Sequence, residues 1–207
     1  MLDALERVVR IIGAIAGLSV LTFAVVAMLL AVRKPAAMQE RAAQRMLRPS
    51  WLVLGTALFL GVGILLWSPL PVNLPPWSRA TLLVAGSLLF LGGLVVYLLG
   101  MRALGEMFAP SLGLGVRVQA PHHLVTEGPF SLVRHPMYLG VIIAAIGTLM
   151  LYRTWASLLF AVGMFGLLVR ARREERVLAR EFPEQWATYS RRVPAWRPAL
   201  RRRGGGA

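Results

Sequence analysis

The sequence predicts an all-α, polytopic membrane protein with about five transmembrane helices, a helical hairpin and a cytoplasmic C-terminal helix. Of its 207 residues, 57% are hydrophobic, against roughly 45–50% in soluble domains. The apolar residues fall into blocks about as long as a bilayer is thick, roughly 20 residues at 1.5 Å each. Basic residues lie almost entirely outside these blocks, as is typical of loops beside anionic lipid.

Five apolar blocks follow one another along the chain, and each predicts a membrane helix. They cover residues 8–32, 51–66, 79–99, 136–152 and 154–169. The first block is too long for the apolar core of a signal peptide and precedes no small-residue cleavage site, so we expect a retained anchor. Residues 36–48 are helix-forming and of mixed polarity, which predicts a short interfacial helix or an extension of the first helix.

The remaining segments divide the chain into two regions. Residues 101–132 contain too many glycines and prolines for a helix of bilayer length, and a loop of about 30 residues indicates function. The very short join between the last two blocks predicts an antiparallel hairpin. We therefore expect an N-terminal three-helix region, 1–104, and a unit of loop, hairpin and C-terminal helix, 105–207.

The distribution of charge predicts the orientation and limits the function. Nineteen of the 23 lysines and arginines lie in 33–48, 102–134 and from 170 onward. The other four are Arg7, Arg10, Arg79 and Arg153. This split predicts five spans with the C-terminus in the cytoplasm and the N-terminus outside. The net charge is +14, but the basic segments are not interleaved with aromatic residues on which bases could stack, which argues against binding of nucleic acid. The chain contains no cysteine, so thiolate nucleophiles and cysteine metal sites are excluded, and we expect no metal.

Polar residues at the start of the fourth block form the first candidate site. Pro136 suits the first turn of a helix, so Arg134 and His135 would lie at its N-terminus and, with the free N–H groups, form an anion site. The alternative is that both are ordinary interfacial residues. Gly140 permits close approach of a ligand or of another helix.

Two further clusters lie beyond the hairpin. Arg170 and Glu174 are four residues apart and can share a helix face, although a solvated helix with charge pairs would show the same spacing. An aromatic face follows at spacings of 4, 3 and 4 residues, which most often packs on protein or membrane. Its members are Phe182, Trp186, Tyr189 and Val193.

These motifs, taken in order, resemble one known family. Residues 122–140 read HHLVTEGPFSLVRHPMYLG, a hairpin follows, and residues 174–198 read EERVLAREFPEQWATYSRRVPAWRP. This order resembles the isoprenylcysteine carboxyl methyltransferase and phospholipid methyltransferase family, over the C-terminal third to two fifths of the chain. The resemblance implies transfer of a methyl group from S-adenosylmethionine, at the cytoplasmic membrane face, to a lipophilic or prenylated acceptor that approaches from the lipid.

The resemblance also implies roles for individual residues. Arg170 and Glu175 would lie nearest the acceptor as catalytic residues. The cofactor residues would be His122, Leu124, Val125, Gly128, Pro129, Arg134, His135, Tyr138 and Glu174. Phe130 stands where family members often carry Tyr. The modest N-terminal region, which in this family shapes the acceptor tunnel, leaves the acceptor open.

The chemistry of S-adenosylmethionine is compatible with these residues. Arg134 suits the cofactor's carboxylate, and Glu174 or Glu175 suits its cationic groups. A carboxylate acceptor needs no base, whereas a phenol, amine or thiol could be deprotonated by Glu175 or His135. Two alternatives stay open: a non-enzymatic membrane accessory or lipid-binding protein, and a membrane oxidoreductase of the steroid-reductase type. Convergence of Arg134, His135 and Glu174 on one polar pocket would favour the enzyme.

Overall fold

The computed structural model describes residues 1–32, 36–39, 49–105, 117–119 and 124–197. Helices dominate the described chain and a single pair of short strands accompanies them. The helices are α1 (Leu2–Val32), α2 (Pro49–Leu65), α3 (Pro76–Leu104), α4 (Pro136–Tyr152), α5 (Trp155–Met164), α6 (Gly166–Glu181) and α7 (Pro183–Arg192). The strands are β1 (Ala36–Gln39) and β2 (Arg117–Gln119), and Gly128–Ser131 form a 3₁₀ turn.

The strand pair corrects one prediction. We expected residues 36–48 to be helical, but Ala36–Gln39 form β1, which pairs antiparallel with β2. The helix-forming composition is overridden because pairing satisfies the backbone groups of two segments distant in sequence. Residues 40–48 lie outside the described part of the chain. The pairing places the segments that follow α1 and α3 together, as the charge distribution predicts.

Among the described residues, three helices are long and apolar enough to cross a membrane. They are Leu2–Ala27, Pro76–Leu104 and Trp155–Glu181, the last combining α5 and α6 across a break at Phe165. The helix α4 is apolar but has 17 residues, or about 26 Å at 1.5 Å per residue, which is close to the roughly 30 Å of a bilayer core. The chain is therefore a membrane protein, while the count of five spans stays a prediction.

Glycines bring α3 and α4 into close contact. A Cβ added to Gly140 would lie 2.7 Å from the carbonyl oxygen of Gly93 and 2.7 Å from the amide nitrogen of Tyr97. A Cβ on Gly93 would in turn lie 2.5 Å from the amide nitrogen of Ala144. Small residues at helix contacts are typical of membrane proteins, where close packing replaces the hydrophobic driving force. Gly140 therefore serves the approach of another helix, which holds the start of α4 in place.

The predicted hairpin is confirmed at the other end of α4. Only Arg153 and Thr154 separate α4 from α5, and the Thr154 hydroxyl caps α5 by accepting from the amide of Ser157. The turn is tied to the segment after α2, because the Leu70 amide donates to the carbonyl of Arg153 at 2.8 Å and the Trp155 amide donates to Ser68 at 3.1 Å. The hairpin thus returns the chain to the end of the bundle where α4 begins.

Candidate functional site

The candidate site lies where the start of α4 meets α6 and the segment after α7. His135 is the N-cap residue of α4 and Pro136 opens the helix, as predicted. The Arg134 amide donates to the Pro194 carbonyl at 2.9 Å, so the C-terminal segment fixes the entry into α4. His135 is 7% exposed and Arg134 is half-buried, so both side chains point into protein.

Glu175 on α6 holds both of these side chains. Its Oε1 lies 3.0 Å from Nη1 of Arg134 and 2.9 Å from Nε2 of His135. A carboxylate can only accept hydrogen bonds, so the geometry requires that His135 carry a proton on Nε2. This contact ties the start of α4 to α6.

Glu174, the adjacent residue, binds a second pair of side chains, those of Tyr138 and Arg170. Tyr138 donates its hydroxyl hydrogen bond to Oε1 of Glu174, and Nε of Arg170 lies 3.2 Å from the same oxygen. Arg170 also donates to the Tyr138 hydroxyl at 2.6 Å, and its guanidinium lies over the Tyr138 ring at 5.6 Å. The predicted pairing of Arg170 with Glu174 on one helix face is therefore confirmed.

Aromatic rings connect the side chains around Glu175 with those around Glu174. The His135 ring stacks on Tyr138 at 5.8 Å and on Trp196 at 5.3 Å, so it lies between the two. The guanidinium of Arg134 lies 5.5 Å from the ring of Trp186. The sequence did not predict the contact of Trp196 with His135. The signal that could have found it is the Val193–Pro194 stop, which turns the chain back toward Arg134.

The aromatic face of α7 packs as predicted and supports the loop before α4. Trp186, Tyr189 and Val193 form a buried cluster, with Leu124 packed against it. The Tyr189 hydroxyl donates to the Phe130 carbonyl at 2.7 Å, which holds the 3₁₀ turn. Burial raises the pKa of Tyr189 to about 12, so the hydroxyl keeps its proton at working pH.

The structure brings together six of the predicted site residues. These are Arg134, His135, Tyr138, Arg170, Glu174 and Glu175. Three others lie along the supporting loop: Leu124 in the aromatic cluster, and Gly128 and Pro129 in the 3₁₀ turn, where Gly128 has a φ of 58°. Val125 is half-buried in the same loop. His122 lies outside the described residues.

One polar atom of the site has no partner. Among the described side chains, Nε of Arg134 is buried and makes no hydrogen bond. Leaving a charged donor unsatisfied costs about 1–3 kcal/mol or more. A guanidinium donor without a partner at this position fits an anionic group of a ligand.

Comparison with known proteins finds matches to the part of the chain that carries the candidate site. The model of the phospholipid methyltransferase family matches residues 81–185, which include all six converging side chains. The chain is 36% identical over 85 residues to protein-S-isoprenylcysteine O-methyltransferase B of Arabidopsis thaliana, covering 40% of this chain and 43% of that protein. It is 37% identical over 81 residues to protein-S-isoprenylcysteine O-methyltransferase of Schizosaccharomyces pombe, covering 38% of this chain and 34% of that protein.

A relative that is named as a metal resistance protein, and not as a methyltransferase, matches over a longer stretch. The nickel-cobalt-cadmium resistance protein NccN of Alcaligenes xylosoxydans xylosoxydans is 34% identical over 129 residues, which cover 60% of this chain and 53% of that protein. The chain thus spans about a third to a half of the length of these curated relatives. Since the family model matches just over half of the 207 residues, and its segment carries the candidate site, the chain belongs to the phospholipid methyltransferase family.

Proposed function

We propose that the protein is an S-adenosylmethionine-dependent methyltransferase that acts at the membrane face on a lipophilic acceptor. The observation that carries this proposal is the pair of adjacent carboxylates on α6. Each carboxylate contacts one arginine and one ring-bearing side chain. Glu175 contacts Arg134 and His135. Glu174 contacts Arg170 and Tyr138. A merely structural helix contact would not need two neighbouring carboxylates at its centre.

The residues present fit the cofactor. The unpartnered Nε of Arg134 suits the cofactor's carboxylate, since guanidinium and carboxylate form strong charge-assisted hydrogen bonds. Glu174 suits its ammonium group. The rings of Trp186, Trp196 and Tyr138 offer faces for a sulfonium or an adenine ring. His122, Val125, Gly128 and Pro129 stay proposed cofactor residues of the adjoining loop.

The bound cofactor supplies an electrophilic methyl group, and the chain's residues orient the acceptor and handle its proton. Orientation supplies much of the acceleration, because in-line displacement requires aligned reactants. We place Arg170 and Glu175 on the acceptor side. Arg170 would hold an acceptor carboxylate, for which no base is needed. For a phenol, amine or thiol, Glu175 would take the proton at Oε2, while its Oε1 keeps the hydrogen bond from His135 Nε2 that orients the carboxyl group.

The membrane context supports a lipophilic acceptor. Large apolar side chains of α3 and α5 are exposed, including Leu88 and Leu159 at 69% and 52%, and these surfaces face lipid in a bilayer. The two isoprenylcysteine methyltransferases among the relatives favour a prenylated carboxylate, with a lipid-like small molecule as the other option. We propose a multi-pass arrangement in which residues 105–207 carry the site at the cytoplasmic face and residues 1–104 frame it.

Calorimetry on the purified full chain in detergent tests this function. We expect saturable binding of S-adenosylmethionine and of its demethylated product. Folded protein that binds neither at millimolar concentration would refute the proposal. Binding of a reduced nicotinamide cofactor instead would favour a membrane oxidoreductase, and binding of neither cofactor would favour an accessory or lipid-binding protein.

A further inference from the structure

A second polar centre lies at the opposite end of α3 from the candidate site. A cavity of about 460 Å³ opens between the first turns of α1, the start of α3 and the α4–α5 turn. Arg79 at this end and Gly100, which contacts Met137 near the candidate site, are separated along α3 by about 30 Å at 1.5 Å per residue. The cavity is therefore separate from the proposed methyl-transfer site.

Glu6 organises the cavity. Its side chain is buried, and its carboxylate accepts from Arg10 at 2.6 Å, from Arg79 at 2.5 Å and from Arg153. The three arginines come from α1, α3 and the α4–α5 turn, so one carboxylate ties three elements together. Asp3 pairs with Arg79 at 2.5 Å from the exposed side. Both carboxylates of the cavity are thus already engaged by arginines.

The cavity nevertheless has an excess of positive charge. Arg7 and Arg10 line it, together with Arg79, and Arg153 adjoins it through Glu6, so four guanidiniums face two carboxylates. The ion pairs of Arg79 both use Nη2, and Arg10 uses Nε and Nη2. Within the described residues, Arg7 makes no side-chain hydrogen bond. Several guanidinium donors are therefore left for a ligand, and a net charge of this kind beside lipid calls for a counterion.

The walls of the cavity indicate what kind of anion it takes. Guanidinium groups match phosphate oxygens with paired hydrogen bonds. Ile11 and Ala14 line one side, and Trp67, an aromatic of the type enriched at the headgroup level, lines another. Ile11 and Ile15 continue as exposed apolar surface along α1, at 53% and 61% exposure. We propose that this cavity binds the phosphate group of an anionic amphiphile, whose chain lies along α1.

Binding of short-chain lipids to the purified full chain tests the proposal. We expect dihexanoyl phosphatidic acid to bind about tenfold more tightly than dihexanoyl phosphatidylcholine, because the choline would face the arginines. If phosphatidic acid binds more tightly than inorganic phosphate, the ligand is a lipid headgroup, as proposed; if inorganic phosphate binds as tightly, the site takes free phosphate and the assignment of an amphiphile is wrong. Phosphatidic acid that binds no better than phosphatidylcholine, with no binding of inorganic phosphate, would overturn the proposal.

Two matched variants locate the binding. Arg7→Gln should weaken phosphatidic acid binding about tenfold, the loss expected for one or two charge-assisted hydrogen bonds. Arg7 has no ion pair within the described chain, so the variant should unfold at the wild-type temperature and bind S-adenosylmethionine normally. Arg191→Gln, the same charge change at an exposed residue of α7, should leave lipid binding unchanged. Equal lipid affinity in the two variants would contradict the assignment.

Discussion

Replacing Arg134 by alanine removes three features of the candidate site at once. It breaks the ion pair with Glu175 at 3.0 Å and removes the guanidinium that lies 5.5 Å from the Trp186 ring. It also removes the buried Nε, which has no acceptor among the described residues. The first two contacts stabilise the folded protein, whereas the third is available to a bound ligand.

The structure allows the two kinds of loss to be compared. The side chains of Arg134 and Glu175 are 17% and 24% exposed, and a partly solvated pair contributes about 1 kcal/mol. The contact with Trp186 adds about 0.5–1 kcal/mol. Removing the unpaired Nε offsets part of this loss, so we expect the free energy of unfolding to fall by at most about 1–2 kcal/mol. Loss of a charge-assisted hydrogen bond to the ligand costs about 1.5–3 kcal/mol, which raises Kd for S-adenosylmethionine about 10- to 100-fold.

Two measurements on the same sample, calorimetric Kd and thermal unfolding in one detergent, test this comparison. Arg134→Lys separates the two effects further. Its ammonium group can still pair with Glu175 but lacks the planar fork of a guanidinium, so the unfolding temperature should persist while the affinity for S-adenosylmethionine falls. Arg191→Ala, an exposed residue of α7, is the control and should change neither quantity. Wild-type affinity in a folded Arg134→Ala variant would refute the role of this residue as an anion-binding group.

Three further substitutions test other parts of the account. Glu175→Gln should lower the turnover number more than the affinity for cofactor, because the neutral amide loses the charge that orders the acceptor side of the site and cannot take a proton from an acceptor that must be deprotonated. Glu181→Gln, exposed on the same helix, should alter neither, and unchanged turnover in Glu175→Gln would reject its chemical role. Gly140→Ala should lower the thermal unfolding temperature through a clash that costs about 1–3 kcal/mol, whereas Gly163→Ala, which meets open space, should not; equal temperatures would contradict the close helix contact. Tyr189→Phe should cost about 1 kcal/mol in chemical unfolding by leaving a loop carbonyl unpaired, and a loss below a few tenths would show that the bond adds nothing.

Local features of the site were predictable from the sequence. Pro136 fixed the start of α4, and the four-residue spacing of Arg170 and Glu174 gave their shared face. These predictions succeed because both depend on helix geometry over a single turn. The periodic face of α7 succeeded for the same reason.

Contacts between elements were not predictable in the same way. Spacing shows that Glu174 and Glu175 are adjacent on α6, but not which of them meets Arg134, because that depends on the rotation of α6 relative to α4. The helix predicted over the residues of β1 was wrong because the strand's partner, β2, lies about 80 residues away in the sequence. Likewise, the sequence placed four arginines on one side of the membrane without indicating that Glu6 gathers three of them.

The most direct test of the central claim is transfer of a labelled methyl group. The purified chain would be reconstituted in lipid with methyl-labelled S-adenosylmethionine and a membrane extract, and label would be counted in the organic phase. We expect label in a lipophilic product with the wild-type protein, strongly reduced label with Glu175→Gln and wild-type label with Glu181→Gln. Wild-type protein that binds the cofactor yet transfers no label to any extract, or equal transfer by the two variants, would contradict it.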